Sequence, residues 1–312
     1  MQRMETNRMR SWSDLPVEIL STIANRLELI ELLSFRGTCK EFRVASYGLS
    51  AEIESSKPPW LLFHKPNTSE CLIYNERESK TYKGNIPELE GAICLASYQG
   101  WLLLSKHESV YFFCPFSVSK IVLPSFPHKQ LENHTAAFSD VPTSPNCIVC
   151  VINPIDDLFF EVNLIYKGKN EWTQHKINRT YSFISNVFAA TFDDKEKCFY
   201  FQDNKNSVVT FSVIDKKSAD YMIVSGDSSK DIETLPYSYR THMLNDKIGT
   251  IRQNLDLEDD EYVDVRGLTC EYKKYPILYL NEIVDVSPTK TRLRRALWIQ
   301  PRFYKAHSDR HW

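Results

Sequence analysis

The feature that most constrains this chain is a succession of short apolar runs between Trp60 and Val213. They include Trp60 to Phe63, Cys71 to Tyr74, Gly91 to Leu95, Trp101 to Leu104, Val110 to Phe113 and Lys120 to Pro124. Cys147 to Ile152, Phe159 to Tyr166, Val187 to Phe192, Cys198 to Gln202 and Val208 to Val213 continue the series. The runs are aromatic and β-branched, are bounded by turn residues and recur about every 8–12 residues, which predicts an all-β meander. No helix-length periodic segment interrupts them, so an alternating strand–helix sheet is not expected. So many strands must hide their edges in a sandwich, a barrel or a propeller of repeated sheets. Three units share the plan strand, turn, aromatic strand, turn, strand, and centre on Trp101, Trp172 and Phe199-Tyr200-Phe201. Only 9 glycines in 312 residues is low for a propeller, whose tight turns recruit glycine. Pattern alone leaves the three architectures open.

Ahead of this β-region, Ser13 to Ser46 reads as one small helical module. Ser13 and Asp14 are placed as N-caps, Pro16 falls in a first helical turn, and Glu18 lies near the positive end of the helix dipole. Ile19, Ile23 and Leu27 form a stripe at helical spacing, with Leu20 and Ala24 beside it. A second helix carries Leu29, Ile30, Leu32, Leu33 and Phe35, with Gly37 placed to break it, and a third carries Cys39, Phe42 and Val44. About 35 residues cannot bury that many large side chains among themselves. The module must dock on the rest of the chain or keep an apolar face for another protein.

Leu15-Pro16-x-Glu18-Ile19-Leu20, Arg26-Leu27, Leu32-Leu33-x-Phe35-Arg36 and Cys39-Lys40-x-Phe42-Arg43 closely resemble an F-box of the plant type. Phe42 stands where an aromatic, often Trp, is usual, and Thr38 where Val is common. The resemblance implies docking on a Skp1-like adaptor and, through it, on a cullin, with a protein substrate of unknown identity held elsewhere in the chain. It points to Leu15, Pro16, Ile19, Leu20, Ile23, Leu27, Leu32, Phe35, Cys39 and Phe42 as the helical core and adaptor-binding face, without saying which point inward. Replacing Leu15 and Pro16 by alanine is expected to abolish adaptor binding without unfolding the β-region.

Gly100-Trp101-Leu102-Leu103, Phe113-Cys114-Pro115-Phe116-Ser117 and Ile121 to Pro124 are similar to the core of KIB-type, kelch-like β-propellers. Glu171-Trp172, Cys198 to Phe201 and Val208 to Phe211 extend the likeness over roughly residues 60 to 225, and Cys114 departs from an Asn often found before Pro. The expected organisation is α+β and multidomain. A three-helix F-box at 11–50 is followed by a shortened or divergent propeller at 59–225 and a divergent continuation at 226–312. Within the last part Tyr262 to Val265, Pro276 to Leu280 and Ala296 to Ile299 read as strands, Gly226 to Lys230 as a polar loop and Asp256 to Glu261 as an acidic, solvated run. Lys290 to Arg295 is a short basic cluster that reads as solvated surface.

Charge and cysteine usage narrow the function classes. Lys+Arg 38 against Asp+Glu 40 leaves a net charge of −2, so no overall field favours nucleic acid or an anionic membrane. No apolar run reaches the ~18 residues of a membrane span, and the first ten residues lack the apolar centre of a secretory signal. Scattered cysteines fit a reducing compartment, so cytoplasm, nucleus or both are expected, and the Asn67, Asn133 and Asn178 triplets carry no glycan. Cys147 and Cys150, three apart on a strand, point to opposite faces, so no metal or cofactor is expected there. Asp156-Asp157 and Asp193-Asp194 sit where turns would place them, and His107-Glu108 lacks a second His. His307 and His311 have helical spacing but no third ligand. No nucleophile elbow, phosphate loop or dinucleotide fingerprint is present. The first reading is therefore a non-catalytic, substrate-recognising subunit of a ubiquitin ligase. The alternatives are a propeller-type small-ligand binder or enzyme with the helices as a structural cap, and an F-box protein without a degradation substrate.

Overall fold

The computed structural model describes residues 12–46, 60–65, 67–75, 78–128, 134–155, 159–178, 187–203, 207–222, 261–265, 292–302 and 312. A 3-10 turn at Trp12–Asp14 leads into three helices, α1 (Val17–Ala24), α2 (Leu29–Thr38) and α3 (Lys40–Ala45). Strands β1 (Trp60–His64), β2 (Glu70–Asn75) and β3 (Lys80–Asn85) begin the β-domain. A second sheet runs in chain order through β4 (Ile93–Tyr98), β5 (Trp101–Lys106), β6 (Ser109–Cys114) and β7 (Ser119–Val122). A third is β8 (Thr135–Phe138), β9 (Ile148–Pro154), β10 (Phe159–Tyr166) and β11 (Thr173–Asn178). The fourth is β12 (Val187–Asp193), β13 (Cys198–Asp203), β14 (Ser207–Ser212) and β15 (Ser218–Met222). β16 (Glu261–Val265) and β17 (Arg292–Ile299) return to the first sheet, whose order is β16-β17-β1-β2-β3. β17 pairs antiparallel with β1, from Trp60 opposite Ile299 to His64 opposite Arg295, while β16 and β17 run parallel.

Short N-terminal helices followed by an all-β domain of antiparallel sheets is the expected class. The sheets are arranged as propeller blades: β17, β4, β8 and β12 touch in that order, and β4, β8 and β12 are each the first strand of their sheet. The threonine hydroxyl of Thr135 on β8 donates to the Val187 carbonyl on β12 at 2.7 Å. Along these inner strands the small residues Ala96, Ser97, Ala136, Ala137 and Ala190 are buried, and Tyr98 of β4 meets Phe138 of β8 edge-on at 5.7 Å.

Period-two alternation makes the third sheet a wall between two cores. In the third sheet Ala136, Phe138, Val149, Val151 and Ile165 join the cluster filled by the first and second sheets. Ala137, Cys150, Ile152, Phe160, Val162 and Leu164 point the other way, onto Phe192, Phe199, Phe201, Val209 and Phe211 of the fourth sheet. Cys147 and Cys150 fall on opposite sides of this wall, as their spacing predicts. Burial pushes the Cys147 and Cys150 thiols well above their ordinary range, and Cys147 Sγ donates to the Asp140 carbonyl at 3.0 Å.

Several local expectations are corrected. Ser13 and Asp14 belong to the 3-10 turn, and the N-cap of α1 is Pro16, with φ −54° and ψ 144° and no side-chain cap bond. Proline at this position loses nothing, because the early amides of a helix have no intrahelical acceptor anyway. Gly37 does not end α2. The helix continues through it to Thr38 and stops at Cys39, whose extended φ of −159° and ψ of 176° separate α2 from α3. Trp172 does not centre a blade. It lies in the β10–β11 turn, donating its indole N–H to the Pro124 carbonyl at 3.1 Å and meeting Phe126 edge-on at 4.9 Å. Trp101, Phe199 and Phe201 do sit on second strands, fully buried. The outer strands β3 and β11 are polar and largely exposed and carry no apolar run, which is why sequence reading passes over them.

Of the carboxylate pairs placed in turns, Asp193-Asp194 lies in one. Gln99 and Gly100, with φ of 48° and 83°, form the tight β4–β5 hairpin that registers Tyr98 opposite Trp101. His107-Glu108 is the β5–β6 turn, and the Asp193 carboxylate accepts from the Lys195 amide at 2.8 Å in the β12–β13 turn. The Tyr262–Val265 and Ala296–Ile299 strands are present within β16 and β17. The loop at 226–230, the strand at 276–280, Asp156-Asp157, His307, His311 and all of the acidic run except Glu261 lie outside the described residues. No described helix is long and apolar enough to cross a membrane.

Candidate functional site

The helical module folds around Leu20, Ala24, Leu32, Phe35 and Ala45, with Leu15, Ile23, Leu27 and Phe42 half-buried against them. Phe35 and Phe42 meet at 4.3 Å between ring centroids. Polar ties fix the three helices. Ser21 Oγ donates to the Ala45 carbonyl at 2.7 Å, joining α1 to α3. The buried Arg36 guanidinium donates to the Ser46 carbonyl at 2.8 Å and to Ser46 Oγ at 3.2 Å. A cation at the end of α3 also opposes the negative pole of that helix. Glu28 and Glu31 form a reciprocal capping box at the start of α2, the Glu28 amide donating to Glu31 Oε2 at 3.2 Å.

The residues singled out in the sequence separate into three groups. Leu20, Leu32 and Phe35 are buried. Leu15, Ile23, Leu27, Cys39 and Phe42 are half-buried. Pro16 and Ile19 are exposed, Ile19 to 48%. The buried line of α1 is therefore Leu20–Ala24 rather than Ile19–Ile23–Leu27. Ile19 joins Pro16 and the 46% exposed Val17 in an open apolar surface on the first turn, and Trp12 and Val44 add exposed apolar area on the same module. Single exposed hydrophobics are ordinary, and Val17 and Ile19, two positions apart, stand on different sides of the first turn, with Pro16 nearest to Ile19.

α2 is placed differently. Leu29 is 1% exposed and belongs to the β-domain cluster with Trp60, Leu62, Cys71 and Ile73, and Ile30 and Leu33 pack half-buried against the same cluster. Tyr82 on β3 stacks on Trp60 at 5.7 Å. Burial, Glu78 and then the α2 acids Glu28 and Glu31 raise its phenol above the usual range. The module thus both docks on its own chain and keeps an apolar face. Sequence reading put Leu29 and Arg36 on the second helix without seeing that Leu29 seats on the β-domain or that Arg36 ties α2 to the end of α3, and it gave Val17 no role. The Glu28-x-x-Glu31 spacing was the legible signal for the start of α2.

Elsewhere the β-domain holds a polar cluster around Glu161. His128 contacts the Glu161 carboxylate, to which Asn163 Nδ2 also donates at 2.9 Å, and the buried Asn163 donates to Asn153 Oδ1 at 3.0 Å. His134 lies beside His128, 5.9 Å between ring centroids, with both ring nitrogens buried and no hydrogen-bond partner. Burial, then the neighbouring His128, holds its pKa down to about 4. Among the described residues no group of three His, Cys, Asp or Glu side chains is placed to hold a metal ion.

Comparison with known families gives two matches. The F-box domain family matches residues 12–48, and the KIB1-4 beta-propeller family matches residues 72–259, more than half of the chain. An F-box/kelch-repeat protein of Arabidopsis thaliana is 28% identical over 64% of this chain and 56% of its own length. One F-box protein of the same plant is 25% identical over 54% of this chain and 45% of its own, and another is 32% identical over 46% and 36%. The chain thus spans about half the length of the curated relatives it matches. Among solved structures, Hsv2 of Kluyvelomyces marxianus superposes with a TM-score of 0.27 at 7% identity, over 54% of this chain and 67% of its own, and carries no argument.

Proposed function

The chain belongs to the KIB1-4 beta-propeller family and carries an F-box, and from that premise we propose that it is the substrate-recognition subunit of a Skp1–cullin–F-box ubiquitin ligase. In this reading residues 11–50 form the F-box, 59–225 the propeller and 226–312 its continuation. The open turn of α1, with Pro16, Val17 and Ile19, docks on the Skp1-like adaptor, and Leu15, Ile23 and Phe42 support it from behind. The propeller holds a protein target, and the chain works by positioning that target, with no catalytic residue of its own, in cytoplasm or nucleus.

The observation that carries the reading is the exposure of large apolar side chains on α1, beside a helical core that is otherwise closed around Leu20, Leu32 and Phe35. Leaving Val17 and Ile19 in water forfeits about 1 kcal/mol or more each relative to burial, which a partner surface recovers. The burial of Leu29 favours a second reading, in which the helices only cap the propeller. A cap accounts for α2 and leaves the α1 surface without a use.

Co-purification of the full chain with a plant Skp1-like adaptor separates the two. The wild type forms a complex and Val17→Asp/Ile19→Asp does not, as Leu15→Ala/Pro16→Ala also should not. A wild type that forms no complex removes the adaptor reading and leaves the cap. Equal capture of wild type and Val17→Asp/Ile19→Asp moves the docking face off α1.

A further inference from the structure

α2 is a member of two hydrophobic cores at once. Leu32 and Phe35 pack inside the helical module, while Leu29 is part of the β-domain cluster and Ile30 and Leu33 lie against it. The module's own core is small. Its five buried hydrophobics are Leu20, Ala24, Leu32, Phe35 and Ala45, two of them alanines, and Leu32 and Phe35 stand on the shared helix. A chain of this size without disulfide or metal falls short of the burial needed for independent stability, and helices of six to ten residues have almost none of their own. α1 and α3 each lean on the other elements of the module, through the Leu20–Ala24 line and through the Ser21–Ala45 and Arg36–Ser46 bonds. What orders α2 therefore orders them.

We propose that the propeller completes the fold of the helical module, so that the apolar surface of α1 is presented only while α2 is seated on the first sheet. The seat is Leu29, Ile30 and Leu33 on the helix, and the Trp60–Tyr82 stack marks its β-domain side. The coupling is reciprocal: whatever loosens the first sheet lowers the population with an ordered α1, and whatever binds α1 steadies the seat. This deepens the docking reading given above, but the seat itself does not depend on which partner α1 binds.

Hydrogen exchange on the full chain tests it. Tyr82→Asp alters the seat while leaving every residue of the helices as it is. We expect the amides of α1 and α3 to lose at least ten-fold in protection, while β12 to β14, whose core is separate, keep theirs. Unchanged protection of α1 and α3 in this variant overturns the coupling. If Tyr82→Asp also strips protection from β12 to β14, the domain as a whole has opened and Tyr82→Ser is read by the same two outcomes. Leu29→Asp calibrates the size of a complete unseating. Adaptor capture measured in parallel keeps the two ideas apart. A wild type with protected helices that captures no adaptor defeats the docking reading and leaves the coupling standing.

Discussion

The first two helices are both rich in aliphatic residues, yet they meet opposite fates. α1 leaves Val17 and Ile19 about half exposed, at 46% and 48%, while α2 buries Leu29 to 1%. Composition and period would point the other way, since α1 is the more apolar and the more strongly amphipathic of the two. The difference comes from what stands opposite each helix. α2 packs Leu29 into the cluster that holds Trp60, Leu62 and Ile73, whereas α1 buries Leu20 and Ala24 within the module and leaves Val17 and Ile19 open. An amphipathic helix therefore states how much surface it has to bury and leaves open who buries it. Where the chain itself supplies the cover, the helix serves the fold. Where it does not, the surface is available to a partner.

The sharpest way to break this contrast is to make α1 polar. Val17→Asp/Ile19→Asp is expected to cut adaptor capture by at least 100-fold, read by pulldown, while thermal unfolding moves by less than about 1 kcal/mol. Carboxylates in a first helical turn are well tolerated by the helix dipole. A large loss of stability in that variant would mean that the α1 surface is covered by the protein after all. Leu29→Ala tests the other side of the contrast and should cost about 2–5 kcal/mol in denaturant unfolding, the range for emptying a core leucine site. A cost under about 1 kcal/mol would place Leu29 on an ordinary surface.

Arg36→Ala should destabilise by about 1–3 kcal/mol, because the Ser46 carbonyl loses its buried donor. Arg36→Lys should rescue only part of this, since one ammonium cannot reproduce the paired Nε and Nη2 bonds. Full rescue by lysine, measured in the same denaturation series, would reduce the role to charge alone.

His134 extends the comparison to the junction of the second and third sheets. In the folded protein it stays neutral down to about pH 4, whereas an unfolded histidine begins to take its proton near pH 6.5. The unfolded chain binds more protons in that window, so stability is full above about pH 6.5 and declines as the pH falls through the folded value. The ring is partly exposed, so the loss attributable to it is on the order of 1–2 kcal/mol. His134→Phe should flatten the pH dependence between pH 6.5 and 4 by that amount. Identical slopes for wild type and variant would show that the His134 ring is not the source.

The smallest effect concerns Gly37, which lies inside α2 with nothing within 4 Å of where a Cβ would stand. Gly37→Ala should raise stability by about 0.5–1 kcal/mol through helix propensity and a less mobile unfolded chain. Destabilisation by alanine would reveal a close neighbour at that face of α2.

Much of this architecture was legible in the sequence because it follows from local period and local chemistry. Runs of apolar residues marked most inner and middle strands, down to Cys147 and Cys150 falling on opposite faces, but passed over the four-residue inner strand β8. The apolar stripes, Arg26-Leu27 and the Cys39-Lys40-x-Phe42 ending located the three helices. Polar outer strands such as β3 and β11 were not legible, because a strand paired on one edge and wet on its face needs no apolar residues. Gly37 and Trp172 misled for a related reason: glycine permits a helix end without requiring one, and a tryptophan can staple a turn to a neighbouring sheet as well as fill a core.

Tertiary structure alone decided three things. It joined β17 to β1 across most of the chain, since pairing between distant strands depends on backbone edges that carry no side-chain code. It chose Leu20–Ala24 over Ile19–Ile23 as the buried line of α1, because neighbouring stripes on a short helix differ by one residue's rotation and only the positions of α2 and α3 break the tie. It gave Leu29 to the propeller and left Val17 and Ile19 to solvent, because burial is a property of the surface that arrives opposite a residue, and that surface is brought there by the rest of the chain.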